Sequence, residues 1–202
     1  MIRSIAFVAA ALGLGFAGGP AWAQGSPDPH AVSAGDYKVE PAHTQVTFSV
    51  KHLGFTYFTG MFSGASGELK LDPGHPAEST LAVSVPVASV LTTVAPLDAE
   101  LKGADWFDAA KFPAATFRST KVTSTGPDSA TIDGELTLHG VTRPIALEAR
   151  FIGAGTNPLD HHLTAGFSAS GVIKRSDFGV SKYVPLVGDE VRLTIAGAFE
   201  KP

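Results

Sequence analysis

Apolar and polar side chains alternate with a period of two along most of this chain, the spacing of strands buried on one face. Val46, Phe48 and Val50 fall on one face, and Thr47, Ser49 and Lys51 on the other. The same arithmetic picks out Leu69 and Leu71, then Leu81, Val83, Val85 and Val87, then Ile132, Leu136 and Leu138, and then Ile145, Leu147, Ala149 and Phe151. Toward the end, Phe167, Ala169, Gly171 and Ile173 alternate, and Val191, Leu193, Ile195, Gly197 and Phe199 repeat the pattern. Turn-forming clusters at Asp72-Pro73-Gly74, Gly126-Pro127-Asp128 and Gly153 to Pro158 separate the runs, which predicts antiparallel neighbours. One stretch breaks the alternation. Leu97, Leu101, Ala104 and Asp105 recur at helical spacing behind Pro96, which predicts a short helix ending before Phe112-Pro113. About eight strands and one brief helix predict an all-β sandwich or closed antiparallel barrel. A barrel of about that size is either packed solid or holds one small ligand, so what fills its interior decides what it does.

Ahead of these runs, Arg3 precedes an apolar stretch from Ile5 to Phe16, and Ala21 and Ala23 flank Trp22 in a small-x-small pattern. The stretch is too short to span a bilayer, so residues 1–23 are expected to be a cleavable signal peptide that exports the chain from the cytoplasm. Residues 24–36, mostly Gly, Ser, Pro, Ala and Asp, bury little apolar surface and predict a flexible segment before a single domain at 37–202. The formal net charge of −4 becomes one unit more negative once Arg3 is removed, and no basic block interrupts it. Nucleic acid is therefore not an expected partner, nor is adhesion to anionic phospholipid. The chain contains no cysteine, which leaves no residue for disulfides, thiolate catalysis, zinc–thiolate sites, haem attachment or a lipoprotein anchor.

Candidate chemistry is sparse. The densest aromatic cluster, Phe55, Tyr57, Phe58 and Phe62, has Gly54, Gly60 and Gly64 interleaved, and it either closes a barrel end or contacts a ligand. Phe107, Phe112, Phe117 and Trp106 pose the same choice. None of the seven histidines stands in a zinc-enzyme arrangement, and His161-His162 behind Asp160 reads as a solvated loop, so no metal site is expected. His43 and His139 read as hydrogen-bonded structural groups beside strands. No nucleophile elbow, phosphate loop or dinucleotide fingerprint occurs, so no catalytic residue is assigned and no cofactor is expected. Asp98, Glu100, Asp105 and Asp108 read as the solvated face of the short helix. In Lys174-Arg175-Ser176-Asp177-Phe178-Gly179, Arg175 either pairs with a neighbouring acid or presents its planar fork to a polar head group, while Gly179 turns the chain.

Taken in order, these motifs resemble the YceI-like family. Ala42-His43-Thr44-Gln45-Val46-Thr47-Phe48, Lys51-His52-Leu53-Gly54-Phe55 and Gly60-Met61-Phe62 match its opening. Ala104-Asp105-Trp106-Phe107-Asp108, Lys111-Phe112-Pro113, Thr116-Phe117-Arg118-Ser119, Gly134 to Pro144 and Arg175-Ser176-Asp177-Phe178-Gly179 follow in sequence. The resemblance spans Tyr37 to Phe199 and implies an extended, lipocalin-like antiparallel barrel holding an isoprenoid or similar amphiphilic lipid in the periplasm. Under it, the ligand-binding residues are expected to be Phe48, His52, Phe55, Phe58, Phe62, Phe107, Phe112, Phe117, Arg175, Asp177 and Phe178. Two positions depart from the family's pattern: Glu100 stands where a histidine is expected before Leu101, and Thr44 follows His43 where serine is usual.

Three function classes follow. The leading expectation is binding, storage or transport of an isoprenoid or quinone-like amphiphile without a chemical step. The alternative is a non-catalytic accessory partner of a membrane-bound redox system such as a cytochrome b or quinone complex. An enzyme acting on lipids ranks last, because no acid–base or nucleophilic set is visible. A homodimer is a further partner expectation.

Overall fold

The computed structural model describes residues 25–202, so the expected signal peptide at residues 1–23 lies outside the described residues. The strands are β1 (Gly35–Val39), β2 (Gln45–His52), β3 (Thr56–Phe62), β4 (Ser66–Leu71) and β5 (Thr80–Pro86). After the helix α1 (Ala95–Lys102) come β6 (Ala114–Ser124), β7 (Ser129–Leu138), β8 (Val141–Thr156), β9 (Leu163–Lys174) and β10 (Val187–Glu200). Neighbours run antiparallel in the order β1-β4-β5-β6-β7-β8-β9-β10, and a β1–β10 pairing closes these eight strands into a barrel. Closure removes the exposed edges that an open sheet would leave.

The barrel is extended by the β2–β3 hairpin, which shares one edge of β10 with β1. β1 takes Phe199 and Glu200, and β2 takes the stretch from Val187 to Ala196. The free edge of β3 is covered at Met61, whose N–H and carbonyl both bond Leu91 at 2.9 Å. Pro96 opens α1 in its first turn, where a missing N–H is harmless, and the helix is shorter than the spacing predicts: Ala104 and Asp105 lie in the turns beyond Gly103. Among the described residues no helix is long and apolar enough to cross a membrane.

The period-two faces point inward as the alternation predicts, with two differences. β5 ends at Pro86, and Val87 is buried in a 3-10 turn rather than on the strand face. The glycines from Gly153 onward form no turn, because β8 runs on to Thr156 past a bulge between Phe151 and Gly153. Their small size admits another backbone: Ser26 bridges Ala154, and a Cβ on Gly153 would lie 3.2 Å from the Ser26 carbonyl. The segment expected to be flexible is therefore docked. Ser26 lies along β8, Val32 is buried, and β1 begins at Gly35.

Two strands escape the apolar alternation. In β3, Gly60 occupies an inward position between Phe58 and Phe62. It stands opposite Phe48, whose ring would overlap any Cβ there. In β6, a register shift between Ser119 and Lys121 breaks the period between Phe117 and Val122.

The buried core is not central. One cluster, including Tyr37, Leu69, Phe151, Ala165 and Phe199, packs toward the end closed by β1. The other, including Phe48, Leu101, Trp106, Phe178 and Val191, packs beneath α1.

Candidate functional site

Between the two clusters runs a cavity of about 720 Å³. It is lined by the inward faces of the strands: Val46, Phe48 and Val50 from β2, Ile132 and Leu136 from β7, and Leu193 and Ile195 from β10, with their counterparts on the other strands. Most of these side chains are only half-buried although they face inward. Their residual exposure is therefore to the lumen. The cavity reaches solvent-exposed residues at both ends, His52, Glu100 and Tyr183 beside α1 and Pro76, Ser124 and Pro127 at the opposite end.

Of the expected ligand residues, Phe48, His52, Phe58, Phe62, Phe107, Phe117 and Arg175 line the cavity. Phe62 sits between Phe48 and Phe107, with both ring-to-ring distances 5.6 Å. Phe55, Phe112, Asp177 and Phe178 do not line it. Phe55 is 86% exposed at the β2–β3 hairpin tip, because the tight turn after His52 carries it beyond the barrel wall. Phe112 packs edge-on against His139 at 4.7 Å, outside the lumen. Phe178 is buried in the wall, and Asp177 points to solvent from a 3-10 turn, since only one side of that turn faces the barrel. Gly179 then turns the chain at a φ of 80°.

Among the described residues Arg175 forms no ion pair with Asp177, and it lines the cavity while holding its own loop. It is 6% exposed, and its guanidinium donates to four backbone carbonyls: Gly188, Val180 and Lys182 at 2.9 Å and Val187 at 2.8 Å. Its planar fork thereby fastens the loop leading into β10 while its face lies 5.6 Å from the Trp106 ring. Burial pulls its pKa down, and Asp189 opposes that pull. Asp189, not Asp177, is the neighbouring acid that matters. It accepts the Ser176 N–H at 2.9 Å and the Ser176 hydroxyl at 2.7 Å. Burial raises its pKa, but these bonds and Arg175 outweigh that and leave it below the usual carboxylate range.

Glu100 is a lining residue that the sequence places on a solvated face. Its Oε1 accepts the Trp106 Nε1–H at 2.9 Å and Lys182 Nζ at 3.3 Å, and Lys182 also reaches Asp105 at 3.1 Å. The Trp106 bond first, and then Lys182, hold its pKa below the ordinary value. Leu97, Leu101, Trp106 and Tyr183 join it at this end. The signal for Leu97 and Leu101 was their helical spacing. Nothing local marked Tyr183, which arrives on the loop that Arg175 fastens.

Elsewhere, His139 Nδ1 bonds the Phe178 carbonyl at 3.2 Å and His43 Nδ1 bonds Glu40 at 2.6 Å, both structural roles. His162 comes within 4 Å of both Asp160 and Glu200 on an exposed rim. Only the β8–β9 loop's approach to the end of β10 brings Glu200 there.

A closed antiparallel barrel with two extra strands, built around an open apolar lumen, belongs to the class of lipocalin-like container folds. The chain is a member of the YceI-like family, whose domain matches residues 37–199. Protein YceI of Escherichia coli O157:H7 is 40% identical over 165 residues, covering 81% of this chain and 85% of that protein. Among solved structures, BcnA of Burkholderia cenocepacia is 27% identical with a TM-score of 0.71, covering 79% of this chain and 98% of that one. A polyisoprenoid binding domain from Saccharophagus degradans shares the fold at 15% identity, with a TM-score of 0.62 over 84% of this chain and all 100% of that one.

Proposed function

We propose that this chain binds an isoprenoid or similar amphiphilic lipid in its lumen and stores or ferries it in the periplasm, with no chemical step. One observation carries the reading: inward-facing apolar side chains remain half-exposed to a continuous cavity of about 720 Å³. Lining such a space with unburied apolar surface forgoes core stability, a loss that an apolar guest offsets by about 0.8 kcal/mol per buried methylene before ordering costs. The volume falls within the range of about 300–1,000 Å³ typical of ligand sites. The fold shared with a polyisoprenoid binding domain supports the same ligand class. The expected signal peptide supports the compartment, since a soluble container is useful where a lipid must cross water.

The test is native mass spectrometry of protein purified without detergent, followed by organic extraction. A co-purifying lipid is expected, and Phe62→Asp should reduce its retention while the barrel stays folded. A barrel that is empty and unresponsive to added prenyl lipids would overturn the reading.

A second reading, docking to a membrane-bound redox component, draws on the β2–β3 hairpin tip. Leu53, Phe55 and Tyr57 are exposed there beside Leu186, and the Leu53 N–H bonds the Leu186 carbonyl at 2.9 Å. Co-purification with a membrane complex by a lipid-free barrel would favour it.

A further inference from the structure

We infer that the lumen selects an isoprenoid with an uncharged, hydrogen-bond-donating head, such as an alcohol or a quinol, over its phosphorylated counterpart, an inference that rests on the lipid-binding reading above. The charge balance of the wall sets this preference. The ionisable residues lining the cavity are His52, Asp72, Glu100, Asp128, Arg175 and Tyr183. Arg175 is the only permanent cation among them, and four of its five N–H donors are committed to carbonyls of the loop it fastens and of the start of β10. Turning them to a phosphate would release four carbonyl acceptors, one buried and three partly buried, and the loop they hold.

Acids stand at both ends. Beside α1, Glu100 uses Oε1 for Trp106 and Lys182. No hydrogen bond among the described residues occupies its Oε2, so an acceptor oxygen is left at the rim. Lys182 lies nearby but is itself held by Glu100 and Asp105. At the opposite end, Asp72 is tied to the backbone N–H groups of Gly74 and His75, and Asp128 to Arg150 at 2.9 Å. Among the lining residues a phosphate entering either end therefore meets a carboxylate and no uncommitted cation, a repulsive element that discriminates against it. A hydroxyl instead finds an acceptor. Both Glu100 and Asp72 are held below the usual carboxylate range, Glu100 chiefly by the Trp106 N–H and Asp72 chiefly by the His75 N–H, so both remain ionised at neutral pH.

The test titrates delipidated full-length mature protein with geranylgeraniol and with geranylgeranyl monophosphate, at pH 8 and low salt, by competition against a fluorescent polyene. The alcohol is expected to bind at least about tenfold tighter than the monophosphate, with the gap shrinking as salt rises. Glu100→Gln keeps an acceptor for Trp106 and should narrow the gap by raising phosphate affinity, with an unchanged melting profile as the folding control. Equal or tighter binding of the monophosphate overturns the inference, as does a gap that Glu100→Gln leaves untouched. If neither isoprenoid binds, the lipid-binding reading itself fails and takes this inference with it.

Discussion

Arg175 illustrates how a residue can be conspicuous in the sequence and yet do something its neighbours do not reveal. Beside Asp177 it suggests an ion pair or a head-group contact, but the chain fold brings the carbonyls of residues 180, 182, 187 and 188 to its fork. Those partners depend on the path of a loop, which no local pattern encodes. Arg175→Lys cannot reproduce a planar fork with four bonds, and is expected to lower the unfolding free energy by about 2–4 kcal/mol in urea titrations. A head-group role would instead lower lipid affinity at constant stability. Asp189 supplies a pH signature at the same place. Its folded pKa lies below its unfolded one, so its contribution is complete above the ordinary carboxylate pKa of about 3.9 and is lost as pH falls through the depressed folded value. The melting-temperature difference between the parent protein and Asp189→Asn should therefore be largest at neutral pH, begin to shrink near about pH 4, and vanish at lower pH.

At the scale of elements, strands that keep at least two neighbouring apolar residues on their inward face were legible even where a glycine interrupts them, as Gly134 does in β7 and Gly171 in β9. Gly60 leaves β3 no such neighbouring pair, and the register shift in β6 breaks its period. Gly60 is empty because Phe48, directly across the strand pair, fills its place. Gly60→Val should destabilise the barrel by about 1–3 kcal/mol by overpacking. Combining it with Phe48→Leu should recover most of that loss, and a double-mutant cycle by chemical denaturation measures the coupling. The helix α1 was legible from Leu97 and Leu101, but not its role as one wall of the cavity's end, because helical spacing says which face is apolar and not what it faces.

For the molecule as a whole, the division of the core into two end clusters around an open lumen makes stability and occupancy one question. An occupied barrel should melt higher than a delipidated one, since ligand at 100 times its Kd adds about 2.7 kcal/mol, or about 5–10 °C for a chain of this size. Ala169→Trp projects a large ring from β9 into the cavity and should abolish that shift while the barrel still melts cooperatively, which differential scanning calorimetry would read. The sequence by itself determined the antiparallel all-β architecture, the inward set of each regular strand and the exclusion of disulfide chemistry, because these follow from side-chain period and composition alone. It also carried, in ordered motifs, the likeness to the family. Tertiary structure alone decided that the inward faces enclose a lumen instead of meeting, that Phe55, Phe112, Asp177 and Phe178 stand outside it, and that Glu100 stands at its rim. Those outcomes depend on barrel closure, strand stagger and loop paths, which sum over contacts far apart in the chain. Local periodicity fixes which side a residue faces, and only the closed barrel fixes how much room is left there.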